Sequence, residues 1–347
     1  MSKVTRAALT ERRKDDHIRI NLDENVQFPR VTTGLERLRF MHQALPELNL
    51  DAVDTRTVVF GKSLSSPLLI SSMTGGTERA RQINLTLAEA AKSAGIALGL
   101  GSLRAALEDP ALAPTYDVRR VAPNILLFAN LGAVQLNYGY GLEQCQRAVD
   151  MVGADALILH FNALQEAVQP EGDSRFSGLL ARVETICRGL EVPVVAKEVG
   201  WGFSPQAARQ LAGAGVAAID VAGSGGTSWS EVEYHRAPTA QHANVARAFA
   251  DWGIPTADSL RHVREAAPDL PVFASGGLRD GVDLAKCIAL GAAAGGMAGP
   301  FLKAAAQSVD AVNKLIWEIA TQLRVAMFAA GAADIAALRQ TPLYPVP

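Results

Sequence analysis

From Pro67 onward, short unbroken apolar runs alternate with longer stretches in which apolar residues recur every three or four positions. The first pattern predicts strands buried on both faces, and the second predicts amphipathic helices laid over them. A first strand is expected in LLISSMTGG after Pro67, and seven more at 96–98, 125–130, 156–160, 194–197, 218–221, 272–275 and 293–297. Helices are expected at 84–94, 143–151, 175–188, 205–212, 283–290 and 315–328. Eight such units give an α/β chain that closes as a (β/α)8 TIM barrel; an open doubly wound sheet has the same alternation, but the strand count favours closure. The longest interval, 223–252, reads as a polar and aromatic loop inserted after strand six, on the face where barrels carry chemistry. Residues 1–60 lack the strand–helix beat and hold Arg12, Arg13, Lys14, Asp15, Asp16, His17 and Arg19. They read as an N-terminal arm reaching the active site of a barrel formed by 61–347 with its C-terminal helices, although such a charged run is ordinarily a solvated face.

Composition narrows the picture. With 347 residues, 49% hydrophobic and 20% charged, the chain has ample core and is too apolar for disorder. A net charge of −2 gives no general attraction for nucleic acid, so any anion must be held locally. Cys145, Cys187 and Cys287 form no CxxC pattern, which suits reduced thiols in a cytoplasmic protein. The first twenty residues contain no signal-like apolar block. The uncharged run 287–302 is too short for a membrane span and is broken by glycines and Pro300.

In a barrel the strand ends meet at one mouth, so reading only those ends collects the candidate chemistry. They carry Ser71 to Gly76, Gly101 to Arg104, Asn130, His160, Asn162, Gln165, Glu166, Lys197, Gly223 to Thr227, Gly276 to Arg279 and Ala298-Gly299. Gly276-Gly277, followed by the helix from Asp283, reads as an anion cradle: backbone N–H groups approach closely and the helix start adds positive potential. The bland reading is a pair of tight turns. Lys197 closes the apolar strand VPVVAK and should enter the mouth, where it suits the negative N1–O2 edge of a reduced flavin. Its alternatives are pairing with Glu198 or a Schiff base. Glu166 suits Mg²⁺, which takes one or two carboxylates and completes its shell with water and substrate phosphates; otherwise it serves the start of its helix. Arg13, Lys14 and His17, with Ser102 and Arg104, form two basic clusters fit for phosphate oxygens.

Together these motifs resemble the type 2 isopentenyl-diphosphate isomerase family. They are R-K-x-x-H at Arg13, Lys14 and His17, M-T-G-G at Met73 to Gly76, G-S-x-R at Gly101 to Arg104 and N-L-G-A from Asn130. H-x-N-x-x-Q-E at His160 to Glu166 and G-x-G-G-T-S-W at Gly223 to Trp229 complete the set. The resemblance implies FMN contacts at Ser72, Met73, Thr74, Ser102, Asn130, Lys197, Thr227, Gly277, Leu278, Arg279, Ala298 and Gly299. It implies substrate contacts at Arg13, Lys14, Ser102, Arg104 and Gln165, a metal ligand in Glu166, and catalytic groups in Lys197, His160, Asn162 and Gln165. It further implies reduced FMN, Mg²⁺, NADPH as reductant, a small diphosphate substrate and a homo-oligomer, tetramer or octamer. Leu103 departs from the glutamine common in the family, and Ala222 from the serine of some relatives. A hydroxy-acid oxidase is the rival reading, with His235 and Arg236 as its His–Arg pair. A flavin-binding scaffold without catalysis is a third.

Overall fold

Three to six consecutive apolar residues cannot face water on either side, and the chain buries each run in a single parallel barrel. The structure is a computed structural model that describes residues 3–346, with side chains from Arg13 on. The barrel strands are β1 (Leu68–Ile70), β2 (Ala97–Gly99), β3 (Leu127–Gly132), β4 (Ala156–Phe161), β5 (Val194–Glu198), β6 (Ala218–Asp220), β7 (Val272–Ser275) and β8 (Ala294–Met297). Neighbours pair in parallel in chain order, and β8 closes on β1 with Met297 opposite Ile70. The helix Glu78–Ala94 shows how local chemistry sets an element's ends. Thr77 Oγ1 accepts the Ala80 N–H at 3.1 Å, and Gly95 stops the helix in a left-handed conformation at φ 64°.

The floor of the barrel is plugged by a hairpin, Thr57–Val59 with Lys62–Leu64. Its two turn residues, Phe60 (φ 48°) and Gly61 (φ 75°), both take the positive φ of a type I′ turn. Phe60, Phe128 and Phe273 then meet edge to face at 6.0–6.2 Å, filling the taper below the mouth. Chain ends meet where Leu38–Phe40 pairs antiparallel with Leu343–Pro345.

Two segments differ from the sequence expectation. The first part of the arm is a 21-residue helix, Lys3–Asp23, not a solvated irregular run. Ile18 and Ile20 are buried, Arg13, Lys14 and His17 line the mouth, and Asp15 and Arg19 are exposed. The stretch after β6 contains two helices, Trp229–Arg236 and Ala240–Arg247, rather than a loop. Thr239 caps the second of them, while Ser228 N–H donating to Val26 O at 2.8 Å ties the first to the N-terminal segment. The helix expected at 175–188 starts later, at Leu179, behind Gly178 at φ 72°. Among the described residues no helix is long and apolar enough to cross a membrane.

Candidate active site

The eight strand ends open into one cavity of about 630 Å³ at the C-terminal mouth. Every site residue expected from the sequence lines it: Arg13, Lys14, Ser72, Met73, Thr74, Ser102, Arg104, Asn130, His160, Asn162, Gln165, Glu166, Lys197, Thr227, Gly277, Leu278, Arg279, Ala298 and Gly299. Lining is not contact, and the side chains divide into distinct groups.

At one end, Gly276 (φ 101°) and Gly277 (φ 77°) leave β7 against the backbone of Gly223 and Gly225. A Cβ on Gly277 would lie 2.5 Å from the Gly225 carbonyl carbon and 2.6 Å from the Thr33 methyl. Gly277→Ala is therefore expected to cost the apo-protein at least about 1 kcal/mol and to weaken FMN binding, read by thermal unfolding and flavin-fluorescence titration. The helix expected to complete this cradle does not. It begins at Gly281, and Asp280 occupies its start by accepting the N–H groups of Val282 (3.0 Å) and Asp283 (2.8 Å). The uncapped start of the next helix, Gly299–Ala305, opens onto the cavity through Ala298 and Gly299 instead. Arg279 contributes backbone here, because its guanidinium pairs with Asp283 at 2.9 Å and its side chain is 66% exposed.

The cavity also holds Ser71 Oγ and Ser72 Oγ after β1 and Asn162 Oδ1 after β4, each buried without a hydrogen-bond partner. Orphaned buried polar atoms are costly, and three of them around one cavity fit a polar ligand such as FMN. Lys197 Nζ donates to Ser275 Oγ (3.1 Å) and to the Glu198 carbonyl oxygen (3.1 Å), and stands 3.1 Å from Asp220 Oδ2 without hydrogen-bond alignment. Ser275 Oγ in turn donates to Asp220 Oδ1 at 2.6 Å. The pairing partner is thus Asp220 and not the Glu198 carboxylate. Glu198 Oε2 instead accepts the N–H groups of Val199, Gly200 and Trp201 at 2.6–2.8 Å, while burial pushes its pKa up to about 7.

Across the cavity, Asn130 Oδ1 is an acceptor 2.8 Å from His160 Nδ1, so Nδ1 carries the proton and Nε2 is left as an acceptor beside Gly132. Burial, with Lys197 and Arg13 nearby, holds His160 down to about 4 and therefore neutral at ordinary pH. Asn162 Nδ2 donates to Glu166 Oε1 (2.9 Å), and Asp173 N–H donates to Glu166 Oε2 (2.6 Å). Each carboxylate oxygen keeps a further lone pair, so Glu166 still has capacity for a metal. Burial raises its pKa, which a bound cation would reverse. No cluster of three metal-ligating side chains exists among the described residues. Glu166 thus fits Mg²⁺ only with substrate oxygens and water completing the shell.

The cationic wall is the least neutralised part. Arg104 pairs with Glu108 (2.9 Å) and Asp173 (2.7 Å), but Arg13 and Lys14 join no ion pair among the described residues. With its amide turned to satisfy both neighbours, Gln169 donates to Glu233 at 3.2 Å and accepts from Arg13 at 3.1 Å. Burial lowers the pKa of Arg13 and brings that of Lys14 down to about 7. His17 Nε2 lies 3.3 Å from Glu233 Oε1, off the hydrogen-bond direction, and its ring meets Trp229 edge-on. Leu103 is fully buried in the core and does not line the cavity.

Tyr116, Gln135, Asp173, Asp220 and Glu233 were missed by sequence reasoning. Only Asp220 left a signal, an acid inside an otherwise apolar strand. His235 and Arg236 stand outside the cavity. His235 is 3.9 Å from Glu24, and Arg236 is paired with Glu233 (2.8 Å) and with Glu171, so the rival oxidase reading lacks its His–Arg pair where it needs it.

A closed barrel with a glycine cradle and unpartnered hydroxyls defines a class: the chain belongs to the FMN-dependent dehydrogenase family, whose model matches residues 7–116 and 152–345. Solved mandelate oxidase structures share the fold, one in complex with (S)-mandelic acid giving a TM-score of 0.69 at 22% identity over 99% of this chain and 97% of that one. Within the class, the chain is 57% identical over 335 residues to the isopentenyl-diphosphate delta-isomerase of Synechocystis sp., covering 96% of each. It is 52% identical over 332 residues to that of Rickettsia bellii, covering 96% of this chain and 97% of the other. The protein is a member of the type 2 isopentenyl-diphosphate delta-isomerase family.

Proposed function

We propose that the protein interconverts isopentenyl and dimethylallyl diphosphate, using reduced FMN, Mg²⁺ on the diphosphate and NADPH as the reductant. The observation that carries this is the pair of half-buried cations, Arg13 and Lys14, that join no ion pair among the described residues and share a cavity with Glu166. Buried charge without a partner is unfavourable, and an incoming anion removes that cost. A diphosphate bridging these cations and a Glu166-bound Mg²⁺ would anchor the substrate remotely and leave its short hydrocarbon free to lie along the barrel axis.

Moving the double bond from the 3,4 to the 2,3 position adds one proton and removes another, with no net redox. When bound and reduced, the flavin supplies the acid–base centre for that exchange. Protein groups at the mouth are poorly suited to do it alone. His160 is neutral and fixed by Asn130, the acids Glu166 and Glu233 are engaged with Asn162 and Gln165, and Lys197 is shared with Ser275 and Asp220. Their work is orientation. Lys197 places positive charge where the cofactor's negative edge would lie, and Asn162 and Gln165 hold the Glu166 and Glu233 carboxylates in place. The helix Lys3–Asp23 covers the site, so the arm belongs to the active centre. Trp317 (67% exposed) and Val325 (45%) on the helix Val309–Ala329 support assembly into a homo-oligomer.

The test is an absorbance spectrum of purified protein, followed by anaerobic reduction with isopentenyl diphosphate present. A flavin spectrum that changes on reduction, with a further substrate-dependent change, is expected. Protein that binds no flavin, or whose reduced spectrum ignores the substrate, would overturn the proposal.

A further inference from the structure

We infer that Tyr116 is a positioning residue that seats the Lys14 ammonium in the cation wall and thereby sets the affinity for a diphosphate; the inference rests on the function proposed above. Tyr116 ends the turn Pro110–Tyr116 and is fully buried. Its Oη accepts from Lys14 Nζ at 2.6 Å and donates to the Ser102 carbonyl oxygen at 2.7 Å, which also accepts from Lys14 at 3.0 Å. Lys14 Nζ thus sits off the hydroxyl edge of the Tyr116 ring, where the oxygen is its contact.

An ammonium has three donors, and two are spent on these neutral oxygens. Neutral oxygens aim an ammonium without cancelling its charge, so the third donor remains for an anion, whose arrival in turn favours the protonated lysine. A carboxylate in the same place would have competed with the phosphate. Burial holds the phenol pKa above its ordinary value, so Oη keeps the proton it donates to Ser102.

The same contacts account for Gly75-Gly76, the glycine pair of the M-T-G-G motif. A Cβ on Gly75 would fall among the Tyr116 ring atoms, and one on Gly76 would sit 3.0 Å from Lys14 Nζ and 3.2 Å from Tyr116 Oη. This pair clears the lysine's seat. Gly76 N–H donating to Thr115 Oγ1 (3.0 Å) and Asn84 Nδ2 donating to Thr115 O (3.2 Å) hold the turn against that loop.

The experiment uses the FMN-loaded enzyme with Tyr116→Phe, Lys14→Met and both together. Calorimetry with inorganic pyrophosphate and Mg²⁺ is run beside isopentenyl diphosphate kinetics. Tyr116→Phe is expected to weaken pyrophosphate about tenfold, with the kinetic loss falling on KM rather than kcat. The double variant is expected to bind no more weakly than Lys14→Met, because the tyrosine acts through the lysine. Wild-type pyrophosphate affinity in Tyr116→Phe, or losses that add in the double variant, would overturn the inference while leaving the proposed function standing. Unchanged pyrophosphate binding in Lys14→Met would overturn the inference at its premise, and the flavin spectrum decides the proposed function separately.

Discussion

Replacing Lys197 by methionine is expected to lower kcat/KM by on the order of 10² to 10³, the scale seen when one preorganised charge-stabilising donor is removed. The ammonium is held by Ser275 Oγ and the Glu198 carbonyl at 3.1 Å each, with Asp220 Oδ2 also 3.1 Å away, and it lines the cavity. Its loss also leaves Asp220 buried without a cation, a structural penalty that has to be separated from the chemical one. The pair Lys197→Met with Asp220→Asn makes that separation. Restored thermal stability with activity still lost is the expected result, together with a weaker flavin complex by fluorescence titration. Full activity in the pair would remove Lys197 from the reaction.

Glu166→Gln is expected to produce a comparable loss, on the order of 10² to 10³ in kcat/KM, because a metal on a transferring or anchoring oxygen is worth several kcal/mol. The substitution keeps the shape and one acceptor, for either Asn162 or the Asp173 N–H, and it removes the negative charge that would hold a divalent cation. It places an amide beside the Asp173 N–H, which then faces either the amide oxygen or a clash. The diagnostic is the metal titration: wild-type rate saturates with added Mg²⁺, whereas the variant's response is shifted to much higher concentration or lost. Asp173→Asn, which touches Arg104 and Gln135 from the same turn, provides the control for disturbed geometry. Equal Mg²⁺ dependence in wild type and Glu166→Gln would remove the carboxylate from metal binding.

How much of this was legible follows from where each signal comes from. Strands such as Val194–Glu198 show themselves because burial on both faces demands unbroken apolar residues, and their polar ends then mark the mouth. That is why the expected lining residues fall on one cavity. The helix Lys3–Asp23 was hidden because, from Arg13 on, the side facing the cavity mixes the polar Arg13, Lys14, His17 and Asn21 with Ile18, which gives no clear hydrophobic period. Asp280 occupies the helix start that was expected to complete the cradle: an acid just before a helix reads equally well as a cap or as loop, and only the hydrogen bonds to Val282 and Asp283 decide. Tyr116 lies in a turn between β2 and β3, 102 residues from Lys14, and no local pattern could join them.

The most direct test of the central claim is turnover of isopentenyl diphosphate in deuterated water by the reduced, Mg²⁺-loaded enzyme. The account predicts deuterium in the dimethylallyl product, a requirement for bound flavin, and no NADPH consumed in proportion to product. Unimpaired isomerisation by flavin-free protein, or oxidant consumed mole for mole with substrate, would contradict it.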